Sequence, residues 1–299
     1  MKTDFNTERK WVGGPLEAID KGAPGYGGDV PLDQTGERGW NLLREDMPLP
    51  VAVLKEDALR RNSGWMRDYL ALSGAKIAPH GKTSMAPWLF DLQLQDGAWA
   101  IALATPHQIR VARRCGFDRV FLANQLVGRS AIEYVFRELD ACPDFEFYCV
   151  CDSVPHVEQL AAAGKRLRAG RSLNVLVEVG FEGGRTGCRT NQEAMKVAQA
   201  ISASSHLTLC GVEGYEGVVQ GRSAEEQLQR VGGFLDRVVQ VAEACAGQDL
   251  FETDEVIMTA GGSSYFDVVV QKFEGAKLNK PVSMVIRSGC YLTFDSVMV

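Results

Sequence analysis

The sequence predicts an α/β chain of the (β/α)8 class, a TIM barrel of eight parallel strands ringed by helices. Two observations carry this. Eight short apolar runs alternate with longer stretches of helical period, and the runs are apolar nearly throughout, as strands buried on both faces of a parallel sheet must be. Eight strands with seven intervening helices, in roughly 220 residues, match the size of such a barrel. Counting does not show closure, and a doubly wound open sheet has the same alternation.

The strand candidates are "AKIAP" (75–79), "WAIALA" (99–104), "RVFLA" (119–123), "FEFYCV" (145–150), "LNVLVEV" (173–179), "LTLCGVE" (207–213), "EVIMTA" (255–260) and "VSMVIR" (282–287). A helical stretch, "DALRRNSGWMRDYLALSG" (57–74), precedes the first. Between the strands lie "APWLFDLQLQDG", "PHQIRVARRCG", "RSAIEYVFRELD", "VPHVEQLAAAGKRLRAG", "NQEAMKVAQAISAS", "AEEQLQRVGGFLDRVVQVAEACAG" and "YFDVVVQKFEG". Many of them end on Gly, the residue that takes the left-handed turn closing a helix. Residues 1–45, rich in Gly, Pro and charge, read as a loose extension, and 46–299 as one barrel domain. The run "LPVAVL" (49–54) has no slot in the barrel.

Composition narrows the function. The 299 residues carry a net charge of -6 with no basic run, which argues against nucleic acid as a partner. No apolar stretch is long enough to span a membrane, and the N-terminus lacks the apolar middle of a signal peptide, so a cytoplasmic protein without membrane contact is expected. The eight cysteines sit mostly in apolar strands and helices and read as buried free thiols rather than disulfides. Cys149 and Cys151 share a strand face, but no histidine or second pair completes a metal site.

In barrels of this class the chemistry sits at the C-terminal ends of the strands. Those ends read "PHGKTS", "ATPHQ", "ANQ", "CDS", "GFEGGRTG", "GYEG", "TAGGSS" and "RSGCY". In "TAGGSSYFD", Gly261 and Gly262 let backbone approach a ligand, and Ser263 and Ser264 stand where a helix begins. This is a phosphate cradle or a plain N-cap with a tight turn. Lys82, after the first strand, is flanked by apolar residues and by His80. A strand-end lysine facing a phosphate cradle suggests pyridoxal 5'-phosphate, whose aldehyde condenses with the amine. His80 either orients that lysine or serves the fold. Arg185 either faces the cofactor's ring nitrogen, which it would leave unprotonated, or pins its own glycine loop. Tyr215 and Tyr291 either donate to the cofactor or pack as core aromatics.

Taken together, "APHGKT", "ATPHQ", "LANQLVG", "GYEG", "TAGGSS" and "RSGCYLTFDS" resemble the fold-type III pyridoxal-phosphate enzymes with an alanine racemase N-terminal-like barrel, closest to their D-serine dehydratase and D-threonine aldolase branch, often labelled amino acid deaminase. The resemblance runs from about residue 39 to the end. It implies that Lys82 anchors the cofactor, with Arg185 at the ring nitrogen and Tyr215 lining the pocket. Gly261, Gly262, Ser263 and Ser264 would hold the phosphate, and Gly289, Cys290 and Tyr291 would close the cup. The implied substrate is a small D-amino acid. Loss of its α-proton and β-hydroxyl gives a keto acid and ammonia, and in the related aldolases the Cα–Cβ bond breaks instead. The branch also implies a divalent metal held by a β domain after the barrel. This sequence ends at Val299 with "LTFDSVMV", where Phe294 stands at the family's histidine and Val297 at a glycine. The metal ligands are therefore expected to be absent, and dehydratase activity impaired. "LPVAVL", which joins that β domain in the family, would be an exposed edge favouring association, which leaves a homodimer open. A barrel that binds the cofactor without turnover is the alternative from another class; racemisation would need a second base from the same absent domain.

Overall fold

The computed structural model describes residues 14–25 and 28–293. The tail signature around Phe294 and Val297 lies outside the described residues.

All eight expected strands are present: β1 Lys76–Ile77, β2 Ile101–Leu103, β3 Arg119–Gln125, β4 Glu146–Cys151, β5 Leu173–Val179, β6 Leu207–Gly214, β7 Val256–Ala260 and β8 Val282–Ile286. Helix α1 (Glu56–Ser73) precedes β1. Seven more lie between the strands: α2 Pro87–Gln95, α3 Pro106–Arg114, α4 Arg129–Ala141, α5 Val154–Leu167, α6 Asn191–Ser202, α7 Ala224–Gly247 and α8 Phe266–Glu274. Local chemistry sets their starts. Thr190 and Glu193 form a reciprocal capping box at α6, and Thr105 and Ser223 cap α3 and α7.

Pairing is parallel throughout, in the order β1-β8-β7-β6-β5-β4-β3-β2. The two ends of that order meet: the Trp99 amide donates to the Ile77 carbonyl at 2.7 Å and the Ala102 amide to the Pro79 carbonyl at 3.0 Å. The sheet is thus a closed barrel, and the open-sheet alternative is excluded.

Closure divides the core in two. A large cluster fills the space between strands and helices. A smaller one, with Ala78, Ala102, Phe121, Val150, Leu176, Cys210, Ile257 and Val285, plugs the barrel interior. The cysteines are free thiols as expected, and burial pushes Cys149 well above its ordinary pKa. Residues 49–54 belong to no strand, and Leu49, Val53 and Leu54 are exposed. Among the described residues, no helix is long and apolar enough to cross a membrane.

Candidate active site

Each strand of the barrel carries its inward side chains at every second position. One pleat beyond the apolar plug that parity changes character. Ala78 is followed by His80, Leu176 by Glu178, Ile257 by Thr259 and Val285 by Arg287, while β6 contributes Glu213. Glu178, Glu213, Thr259 and Arg287 are all at most 4% exposed, so a buried polar layer lies on the apolar plug.

Arg287 holds this layer together. Its guanidinium donates to Thr259 Oγ1 at 2.7 Å, to Glu213 Oε1 and to the Gly214 carbonyl at 3.2 Å, and it sits 5.5 Å from the Phe121 ring centroid. Three neighbouring strands and a facing aromatic thus converge on one cation. Burial pushes the Glu213 carboxyl up, to about 8, with Arg287 opposing; its second oxygen, Oε2, is buried without a hydrogen-bond partner. Glu178 accepts from Thr186 Oγ1 and the Gln125 amide, and burial raises its pKa as well.

Lys82 stands above this layer. After β1 the chain makes a 3-10 turn, Gly81–Thr83, whose start is capped by His80: Nδ1 accepts the Lys82 amide at 3.4 Å. His80 therefore serves the local fold. Burial, and then the cations Lys82, Arg287 and Arg185, depress its pKa to about 3, which keeps the ring neutral. The Lys82 side chain is exposed at the mouth. Its pKa is lowered, first by the partial burial of the amine, then by Arg185 and Arg287, with Cys290 opposing. A less basic amine is more often neutral, which a condensing lysine requires.

Gly289 locks the β1 turn to the loop after β8. A Cβ there would lie 2.6 Å from both the His80 carbonyl oxygen and Thr83 Oγ1, so only glycine permits the approach. Cys290 Sγ lies 4.0 Å from Thr83 Oγ1. Across the mouth, Arg185 is exposed on the loop after β5, its guanidinium 4.7 Å above the Tyr215 ring. A groove of about 850 Å³ flanks this pair, with Phe181, Arg185, Val218 and Arg237 in its walls.

The cradle residues follow β7. Gly261 has φ +116, and the Gly261 and Gly262 amides donate to the two oxygens of Glu216 at 2.9 and 2.6 Å. Ser263 is half-buried and Ser264 exposed, but α8 begins only at Phe266, with Tyr265 at its N-cap position making no side-chain capping bond. Tyr291 departs from the expected cup. Its side chain borders a cavity with Met66, Leu70, Ile77, Gln93 and Asp96 in the outer layer, where burial raises its pKa. The structure thus brings Lys82, His80, Gly289 and Cys290 into one cluster, puts Gly261 and Gly262 at the next strand end but one, pairs Arg185 with Tyr215, and turns the Tyr291 ring away.

The residues present fit pyridoxal phosphate. A lysine of lowered basicity shares the mouth with two successive amides that already hold an anionic group, and consecutive converging N–H groups make an anion site. Among the described residues, no group of three or more His, Cys, Asp or Glu side chains is placed to hold a metal ion. Sequence reading alone missed Glu178, Glu213, Glu216 and Arg287. Strand parity, two positions beyond the last apolar inward residue, finds Glu178 and Arg287; a register shift in β6 puts Glu213 three positions after Cys210, and Glu216 lies past the end of that strand.

Comparison with known proteins agrees with this fold. 3-hydroxy-D-aspartate aldolase of Paracoccus denitrificans (strain Pd 1222) is 26% identical over 223 residues, 74% of this chain and 56% of that protein. D-threo-3-hydroxyaspartate dehydratase of Delftia sp. (strain HT23) is 24% identical over 254 residues, 83% and 62% of the two chains. The crystal structure of D-threonine aldolase from Filomicrobium marinum superposes with a TM-score of 0.71 at 23% identity, covering 84% of this chain and 64% of that one. The chain thus spans less than two thirds of the length of these relatives. The family model described as alanine racemase, N-terminal domain, matches residues 54–251; Lys82, Arg185 and Tyr215 fall within it, and the Gly261–Gly262 cradle beyond it. With most of the chain matched and the barrel closed around a strand-end lysine, this protein belongs to the alanine racemase N-terminal domain family.

Proposed function

We propose that this barrel binds pyridoxal 5'-phosphate and serves a lyase acting on small D-amino acids that carry a β-hydroxyl. The observation that carries the reading is the pairing of Lys82, an amine of lowered basicity after β1, with the anion-holding amides of Gly261 and Gly262 after β7. Only β8 separates these strand ends. The cofactor, when bound, supplies an aldehyde for amines and an electron sink for the α-carbon. The chain's own residues do the rest. Lys82 offers its amine as nucleophile and, once released, as a base for the α-proton. His80, neutral, fixes the turn that aims it. Arg287, tied to Glu213 and Thr259, keeps positive charge beneath the mouth and disfavours a second cation at Lys82.

The finer reading is D-serine-type deamination to a keto acid and ammonia, a dehydratase chemistry that also names the Delftia relative. Cleavage of the Cα–Cβ bond is the second reading, supported by the aldolase names of the other two relatives. The test has two parts. Borohydride reduction of the protein with pyridoxal phosphate is expected to add the cofactor's mass to the Lys82 peptide, and Lys82→Ala is expected to abolish the adduct. Incubation with D-serine, D-threonine and D-3-hydroxyaspartate, with and without manganese or zinc, is then expected to release keto acid and ammonia; glycine and an aldehyde would favour the aldolase. An adduct distributed over other lysines would end the proposal.

A further inference from the structure

The carboxylate of Glu216 satisfies the Gly261 and Gly262 amides together. Each oxygen takes one amide, at 2.9 and 2.6 Å, and the residue is 0% exposed. The site is not a helix N-terminus, since α8 starts four residues later; it is a pair of converging amides with an anion already seated in it. We propose that Glu216 is an internal stand-in for phosphate, an autoinhibitory occupant that a phosphate-bearing ligand must displace. The inference rests on the functional reading above for the identity of the natural ligand, and on the carboxylate's geometry for everything else.

Three features favour displacement over a permanent bolt. First, the carboxylate is held by backbone amides: both oxygens accept from Gly261 and Gly262, and among the described residues no ion pair reaches Glu216. A buried carboxylate without a cation is costly, and returning it to water restores its hydration. Exchange with a phosphate keeps both amides bonded, so the cradle loses nothing. Second, the segment that carries Glu216 is not part of a strand or helix. It opens a turn in which the Val219 amide donates to the Glu216 carbonyl at 2.9 Å; glycines stand at 214 and 217, and Val218 and Gln220 are exposed. The far end is fastened to α7, where Gln227 bonds the Gly221 amide and the Val219 carbonyl. Third, the turn is coupled to the rest of the mouth. The Tyr215 ring lies closely over Gly217, where a Cβ would fall 2.6 Å from the Tyr215 hydroxyl, and Arg185 rests on Tyr215.

The experiment compares wild type with Glu216→Gln and Glu216→Ala, using inorganic phosphate, pyridoxal 5'-phosphate and unphosphorylated pyridoxal as probes. Glutamine keeps the shape but presents an amide N–H to one of the two donors. Both variants are expected to bind phosphate and pyridoxal phosphate at least tenfold more tightly than wild type, with pyridoxal unchanged. Equal or weaker phosphate binding in folded variants overturns the inference and makes Glu216 a structural pin. If either variant fails to fold, the amide resonances of Gly261 and Gly262 in the wild-type protein decide: they shift on phosphate titration if Glu216 leaves, and stay fixed if it does not. The inorganic phosphate arm does not involve Lys82. Tighter phosphate in the variants without a Lys82 adduct would therefore sink the cofactor reading and leave the Glu216 inference standing.

Discussion

The two layers inside the barrel are built from the same strands, at positions two residues apart, yet obey different physics. The lower layer, around Phe121, Val150, Leu176 and Ile257, is stabilised by burial and close packing alone. The upper layer, with Glu178, Glu213, Thr259 and Arg287, is equally buried, but its stability depends on every charge having a partner. The comparison teaches that inward parity determines where a residue goes, while depth along the strand determines whether it packs or acts.

The sharpest way to break this comparison is to unpair the upper layer. Arg287→Met leaves Glu213 buried without its cation, and the expected cost is about 3–5 kcal/mol in urea unfolding. The double variant Arg287→Met/Glu213→Leu is expected to recover most of that loss, because replacing both partners of a buried pair with apolar residues is close to neutral; failure to recover would mean the layer is held by something other than the pair. In the lower layer, Leu176→Ala is expected to cost about 2–5 kcal/mol, and no second substitution of charge should rescue it. A third test is in pH dependence. His80 has a depressed pKa in the fold, about 3 against 6.5 when unfolded. It therefore contributes stability above pH 6.5 that drains away as pH falls toward 3. Glu213 has the opposite sign: raised from 4.5 to about 8, its contribution is present in acid and drains as pH rises through that window. His80→Asn is expected to flatten the acid limb of a Tm-against-pH curve, and the Arg287→Met/Glu213→Leu variant the neutral limb; an unchanged acid limb in His80→Asn would show that the imidazole protonates freely.

Much of this was legible from residues alone. The eight strands were readable because each is an uninterrupted apolar run, and the helices because caps such as Thr190–Glu193 and the terminal glycines announce them. Lys82 stood out because an ammonium group at an apolar strand end is unusual. The residues left Tyr291 open between cofactor and core, because tyrosine suits either the mouth or the outer layer; only the turn after β8 sends it toward Gln93. Ser263 and Ser264 looked like a cap, but α8 starts beyond them.

The order of elements, their type and the strand-end location of the chemistry came from the sequence by itself, since hydrophobic period and capping are local properties. Closure, the convergence of Arg287 on Glu213 and Thr259, and the seating of Glu216 on the Gly261–Gly262 amides were decided by tertiary structure. The closing bonds join residues 22 and 23 positions apart and the buried polar contacts residues 28 to 74 apart, and the energy of a buried charge depends on which partner the completed fold delivers to it.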